Sequence, residues 1–252
     1  FANPDADGKE VMKLGTIANR MLMPFNMQLM RMRPNIYWVT LQHLFYKYYH
    51  DNFFFIQIGA SDGQDAIHEL VVRHKMAGLA VEPLPDIFAE LRKTYLKYPK
   101  VKLCNVAIHR TEREVTLYRV RAGANNVPGW AHGIASLDPS HYERVNDVNR
   151  QFNNSEKIID FNCIVPETVR AESLNTILKN YKVQQIDLFA VDAEGYDAEI
   201  VHMLLESECR PMIISLEWLH LKPDAFRDLV ILLMDNGYCI STCEVDAIAW
   251  RP

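Results

Sequence analysis

The chain has 252 residues, a hydrophobic fraction of 49% and a charged fraction of 23%, material for one α/β domain with additions. A net charge of −5 provides no basic field for nucleic acid, and five cysteines without a CxxC pair argue against a disulfide framework or a structural zinc. No apolar run is long enough to span a bilayer, so the expectation is a cytoplasmic protein with no integral membrane segment.

Residues 1–50 read as an N-terminal helical appendage. Six of the ten methionines lie between Met12 and Met32, with Pro24 and Pro34 as breakers. After Pro34 the residues Trp38, Leu41, Phe45 and Tyr48 recur at helical spacing. Residues 51–252 read as a second unit in which strands and helices alternate. Phe53–Ile58 is a strand buried on both faces and ended by Gly59, followed by a helix over Gly63–His74 and a short strand Leu79–Glu82. Pro83 and Pro85 open the next helix, Val101–Cys104 is a third strand, and Glu114–Val120 alternates as an exposed one. Ile186–Val191, a helix over Ala198–Glu206, the strand Met212–Leu216 and a helix over Asp224–Asp235 follow. Tyr238–Thr242 and Val245–Trp250 close the chain as an antiparallel pair. The pattern implies a Rossmann-like α/β fold, a mostly parallel sheet with a C-terminal antiparallel pair and helices on both faces. A polar segment at about 121–168 interrupts the alternation and reads as a cover inserted over the site.

The chemistry is concentrated at strand ends. Gly59-Ala60-Ser61-Asp62-Gly63 follows the first strand directly, and two glycines there let the backbone turn tightly beside a ligand. The dinucleotide fingerprint G-x-G-x-x-G is absent, which weakens a dehydrogenase reading. Glu82 ends the second strand, where a carboxylate can accept both hydroxyls of a ribose. Asp192 and Glu194 project from the end of the fourth core strand toward the same mouth. Asp197, in the first turn of the next helix, is explained by the helix dipole alone.

Taken in order, Phe55-Ile56-Gln57-Ile58-Gly59-Ala60-Ser61-Asp62-Gly63, Val81-Glu82-Pro83, Asn105-Val106-Ala107-Ile108 and Val191-Asp192-Ala193-Glu194-Gly195 resemble the FkbM family of methyltransferases. Ser173–Leu178 and Asp246–Trp250 resemble it too, so the likeness runs from about Phe53 to Trp250. It implies a class I methyltransferase fold and use of S-adenosylmethionine, with S-adenosylhomocysteine as product. It also implies an acceptor hydroxyl on a sugar, glycan or glycosylated natural product. By the same resemblance Gly59, Ala60, Ser61, Asp62 and Gly63 line the methionine portion, Glu82 and Pro83 hold the ribose, Asn105 and Ala107 lie near the adenine, and Asp192 lies near the sulfonium. The family's acid in the first strand is Gln57 here, and Asp62 or Asp65 is the expected substitute opposite the cofactor's ammonium group.

For proton removal from the acceptor, His220 is the leading base, with Asp192 and Glu194 as alternatives. Trp130, His132 and Tyr142 in the inserted segment, with Asn125, Asn126 and His141 beside them, make an aromatic platform edged by polar groups that suits a pyranose. Two rival readings stay open. Asp192, Glu194 and Glu217 could hold Mg²⁺ against the acceptor oxygen, a reading not favoured because no ligand spacing is diagnostic. A non-catalytic interaction module on the same fold is the other.

Overall fold

Alternation along Phe54–Ile58 (β1) decides where the core lies. Phe55 enters one buried cluster while Ile56 and Ile58 enter another, so the strand is covered on both faces. The computed structural model describes residues 36–125, 127–153, 158–207, 209–243 and 245–252. The methionine-rich stretch Met12–Met32 and Asn126 lie outside these residues.

In chain order the structure runs α1 (Ile36–Tyr48), β1, α2 (Ala66–His74), β2 (Ala77–Val81), α3 (Pro85–Thr94), β3 (Val101–Cys104), β4 (Ala107–Ile108), β5 (Glu114–Val120), β6 (Ala135–Ser136), α4 (His141–Asn153), β7 (Ile164–Glu172), α5 (Leu174–Asn180), β8 (Leu188–Val191), α6 (Asp197–Glu206), β9 (Ile213–Glu217), α7 (Pro223–Asp235), β10 (Cys239–Cys243) and β11 (Asp246–Trp250). Seven strands form the main sheet in the order β10-β11-β9-β8-β1-β2-β3. Five of them run parallel, and β11 joins β9 antiparallel and carries β10. This is the Rossmann-like arrangement expected from the alternating pattern, with the expected C-terminal antiparallel pair at its edge. The hydrophobic residues of α5, α6 and α7 fill one face of the sheet. Leu41, Leu44 and Phe45 of α1 share the other face with α2 and Leu91 of α3.

The stretch between β3 and β8 holds more structure than an inserted loop. Strands β4, β7, β5 and β6 form a second sheet, and β7 starts inside the expected cover at Ile164 and runs past its end to Glu172. Pro166 hid this strand from the pattern, since proline cannot donate to a ladder. It is tolerated because β4 pairs only with Ala171 and Glu172, leaving that side of β7 open at Pro166. The second sheet is tied to α3 by buried Arg119 on β5, which donates twice to Asp86 at 2.6 and 2.9 Å and once to Glu167 on β7 at 3.1 Å.

The loops after β1 and β8 meet at Gly59. Asp192 N donates to Ile58 O at 2.9 Å, and a Cβ built on Gly59, whose φ is +76°, would sit 1.7 Å from the Asp192 carbonyl oxygen. No side chain can yield there, because both parties are backbone. Gly237 has a similar φ of +81° but nothing within 4 Å of its would-be Cβ. Gly237→Ala is therefore expected to cost about 1–3 kcal/mol of backbone strain, whereas Gly59→Ala should cost well above that or abolish folding. Urea denaturation of both variants checks this. Equal losses would show that the close approach at Gly59 does not limit stability.

Candidate active site

Strand order in the main sheet reverses between β1 and β8, and the crevice outside the carboxyl ends of such neighbours is where open α/β sheets bind ligands. Two cavities open there and share Ile58, Gly59, Ser61 and Asp192. The first, about 250 Å³, is also lined by Glu82, Pro83, Ala107, Trp130 and Glu194. The second is an acidic recess lined by Gln57, Asp62, Asp65 and Asp246, with Tyr37 of α1 at its side.

Glu82 is buried, and each of its carboxylate oxygens already accepts one amide: Oε2 from Ser61 N at 3.0 Å and Oε1 from Leu84 N at 2.9 Å. These bonds fix its orientation and leave lone pairs toward the cavity. Burial raises its pKa to about 7, against the lowering effect of the two amides. Asn105 does not line the cavity; its side-chain amide donates to the carbonyls of Glu82 and Pro83 at 2.8 and 3.0 Å and so holds that turn. Gly63 lines neither cavity. A Cβ there would meet Leu91 and Tyr95 at 2.7 and 2.8 Å, so this glycine lets the loop pack against α3 and does not approach a ligand.

In the acidic recess Gln57 donates to Asp65 at 2.5 Å, and Asp65 also caps α2 by accepting from His68 N at 2.9 Å. The Gln57 oxygen is buried without a partner. Asp65 therefore stands beside the position where the family's strand acid would be.

At the end of β8 the chain turns through left-handed Glu194 and Gly195, with φ of 51° and 99°. Asp197 is buried and accepts from Ala193 N and Gly195 N at 3.2–3.3 Å, which holds this turn shut. Asp192 faces the water of the cavity, yet its depth in the protein, followed by neighbouring Glu194, Asp246, Asp65 and Glu82, holds its carboxyl well above the usual range. Burial raises Glu194 to about 7. Glu217, at the end of β9, is held far above normal by burial and by the surrounding acids.

Two histidines meet these acids. His141 opens α4 in the inserted segment, is fully buried, and places Nε2 2.7 Å from Glu194 Oε2. His220, beyond β9, lies 3.5 Å from Glu217 Oε1 and packs edge-on to His141, with ring centroids 4.7 Å apart. Burial lowers both imidazoles to about 4, helped for His220 by His141 and Arg144. Both are therefore neutral at physiological pH. The ligating atoms of His141, Glu194 and His220 fall within 4.8 Å of one another, as do those of Asp192, Glu194 and Glu217. The Glu194 side chain lies between the first cavity and a third, which His220 lines.

The expected acceptor platform is only partly formed. Trp130 is half-exposed and lines the first cavity, whereas His132 does not. Tyr142 has no accessible surface, and its hydroxyl donates to the carbonyls of Tyr118 and Ile134 at 2.8 and 3.0 Å. It is the core of the cover and cannot present a face to a ligand, which corrects its expected role. The pairing of His141 with Glu194 was not readable from the sequence, because the two are 53 residues apart and on different layers. A histidine opening a helix beneath an aromatic-rich insertion was the one available signal.

The family model for a methyltransferase FkbM domain matches residues 57–240. No curated protein matches the sequence. Among solved structures, a precorrin-6y C5,15-methyltransferase from Geobacter metallireducens is 14% identical, with 85% of each chain covered and a TM-score of 0.44. The N-terminal domain of human METTL16 in complex with SAH is 14% identical over 94% of this chain and 80% of that one, TM-score 0.44. The Methanococcus jannaschii fibrillarin pre-rRNA processing protein is 9% identical over 80% and 67%, TM-score 0.39. Likenesses this distant do not decide an activity, and the family match does. It covers most of the chain and meets the glycine turn, Glu82 and Asp192 at the strand ends, so the chain belongs to the FkbM family of S-adenosylmethionine-dependent methyltransferases.

Proposed function

We propose that the protein O-methylates a hydroxyl of a sugar, glycan or glycosylated small molecule, with the cofactor lying across the two cavities at Gly59. The convergence of Gly59, Glu82 and Asp192 at the strand-order reversal carries this reading. When bound, S-adenosylmethionine would supply an electrophilic methyl group on a sulfonium, with neutral S-adenosylhomocysteine as the leaving group. The residues fit that group. Glu82 has free lone pairs for two ribose hydroxyls, and Pro83 and Ala107 offer apolar surface for a base. The recess around Asp62, Asp65 and the unpartnered Gln57 oxygen suits an ammonium.

The acceptor then enters beneath Trp130, and its hydroxyl reaches the cluster of Asp192, Glu194, His141 and His220. Glu194, raised to about pKa 7, can take up the proton that leaves with attack, with His220 beside it as the alternative base. Positioning supplies much of the acceleration, on the order of 7–11 kcal/mol for well-oriented groups. Trp130 at the rim gives a flat apolar face for the C–H patches of a pyranose.

Ionised Glu82 is the form that accepts from ribose, so cofactor binding draws it from its free pKa of about 7 downward. S-adenosylhomocysteine affinity should fall as pH drops below about 7 and level off above about 8, by up to about tenfold per unit. Glu82→Gln should flatten that profile and weaken binding by roughly 1.5–3 kcal/mol. Calorimetry across this range checks both; a flat wild-type profile with unchanged affinity in the variant would remove Glu82 from the ribose site.

Trp130→Ala should raise the acceptor KM several-fold, about 0.5–1.5 kcal/mol, and spare S-adenosylhomocysteine binding. His220→Ala should lower kcat about a hundredfold. Labelled methyl transfer to a panel of glycosides, oligosaccharides, polyketides and peptides measures these effects. Methylation confined to peptides or carboxylates would refute the sugar acceptor.

A further inference from the structure

The densest grouping of ligating side chains is not in the cofactor cavities but beside them. His141 from α4, Glu194 from the turn after β8 and His220 from beyond β9 bring ligating atoms within 4.8 Å of one another, and Glu217 Oε1 lies 3.5 Å from His220 Nε2. They meet where Glu194 divides the first cavity from the third. His141 is fully buried and the His220 side chain is 10% exposed. His141 Nδ1, His220 Nδ1 and Glu217 Oε2 are all buried without a hydrogen-bond partner. Orphaned buried polar atoms cost free energy unless something binds them, and here three occur in one cluster of two imidazoles and two carboxylates.

A proton can satisfy a lone carboxylate, but it does not satisfy the remaining imidazole lone pairs. A cation does both. The donor set also chooses among cations: magnesium and calcium favour all-oxygen shells, while two imidazoles with carboxylate suit zinc, cobalt, manganese or iron(II).

We propose that His141, His220 and Glu194, joined by Glu217, bind one divalent transition-metal ion at the acceptor side of the site. The all-carboxylate trio Asp192, Glu194 and Glu217 expected for Mg²⁺ also brings its ligating atoms within 4.8 Å of one another and shares Glu194 with this set. The ligands span the inserted segment and the main sheet, so metal would also clamp the cover to the strand ends. A ligand position left open toward the cavity would meet the acceptor hydroxyl, a role that alone rests on the function proposed above.

The test uses the full chain, stripped with a chelator, dialysed and titrated with Co²⁺ under reducing conditions. The visible absorption of Co²⁺ reports a low-symmetry nitrogen and oxygen site. One Co²⁺ per chain is expected, displaced by Zn²⁺ and not by millimolar Mg²⁺. His141→Ala could fail to fold, since His141 is fully buried. The test therefore rests on His220→Asn and Glu194→Gln, with folding checked by circular dichroism and exposed His43→Gln as control. Each of the two should weaken Co²⁺ at least about tenfold, and His43→Gln should not. Binding unaffected in both folded variants, a thiolate charge-transfer band, competition by Mg²⁺ or no binding would each overturn the proposal. S-adenosylhomocysteine affinity measured on the same metal-free samples separates the two readings: its persistence without Co²⁺ binding rejects the metal alone, and its absence with Co²⁺ bound rejects the cofactor site alone.

Discussion

The backbone approach of Gly59 to Asp192 is the constraint on which the site depends. With a side chain at residue 59 the loop after β1 would have to leave the loop after β8, since its Cβ would lie 1.7 Å from a carbonyl oxygen. Ser61, one turn further on, could then no longer reach Glu82, and the carboxylate would lose an amide that orients it. The two cavities are joined through this contact, because Gly59, Ser61 and Asp192 line both. A ligand long enough to occupy both must cross the glycine. The absence of one Cβ thus fixes where the sheet opens, where Glu82 points and how the two cavities adjoin.

Around that opening the protein gathers acid. Asp192, Glu194, Asp197 and Glu217 all stand at the ends of β8 and β9, and burial with mutual repulsion raises every one of them except Glu194, where burial alone suffices. A fold gains nothing in stability from crowding carboxylates at depth, and the feature makes sense as preparation for positive charge. Two kinds of cation fit it in different places. A sulfonium and an ammonium suit the side at Asp192 and the recess of Asp62 and Asp65, and a metal ion suits the side with the histidines. Only Asp197 has an internal explanation, through the amides of Ala193 and Gly195 that it accepts.

What could be read from the sequence was whatever the chain encodes over a few residues. The buried strand before Gly59, the acid ending β2 and the proline-opened α3 are local patterns, and the structure has β1 at Phe54–Ile58 and α3 at Pro85–Thr94. Gly59, Glu82, Asp192 and Glu194 meet because parallel strands deliver their ends to one edge. The second sheet was not legible, because Pro166 and alternating charge in Ile164–Glu172 read as loop. Tyr142 was misread for a different reason. An aromatic in a polar insertion looks like a platform unless one knows that the insertion has its own small core, here Val120, Ala131, Ile134, Val145 and Ile159 around the ring. The histidine cluster was hidden because its members meet only after two layers pack.

That small core has a consequence for how the site can vary. The cover is not held to the main sheet by apolar packing alone. Arg119 bridges β5 to Asp86 on α3 and Glu167 on β7, and Ser136 donates to the Glu194 carbonyl at 2.7 Å. The first set ties the cover to α3, and the second fixes it against the turn that carries Glu194. Between those anchors, Trp130 and Leu137 face the cavity with no comparable hydrogen-bonded role. The acceptor-facing surface can therefore change residue by residue while the anchors, and with them the position of His141 against Glu194, stay in place. On the function proposed above, such changes alone would redirect the enzyme to a new acceptor while the strand ends of β1, β2 and β8 stay as they are.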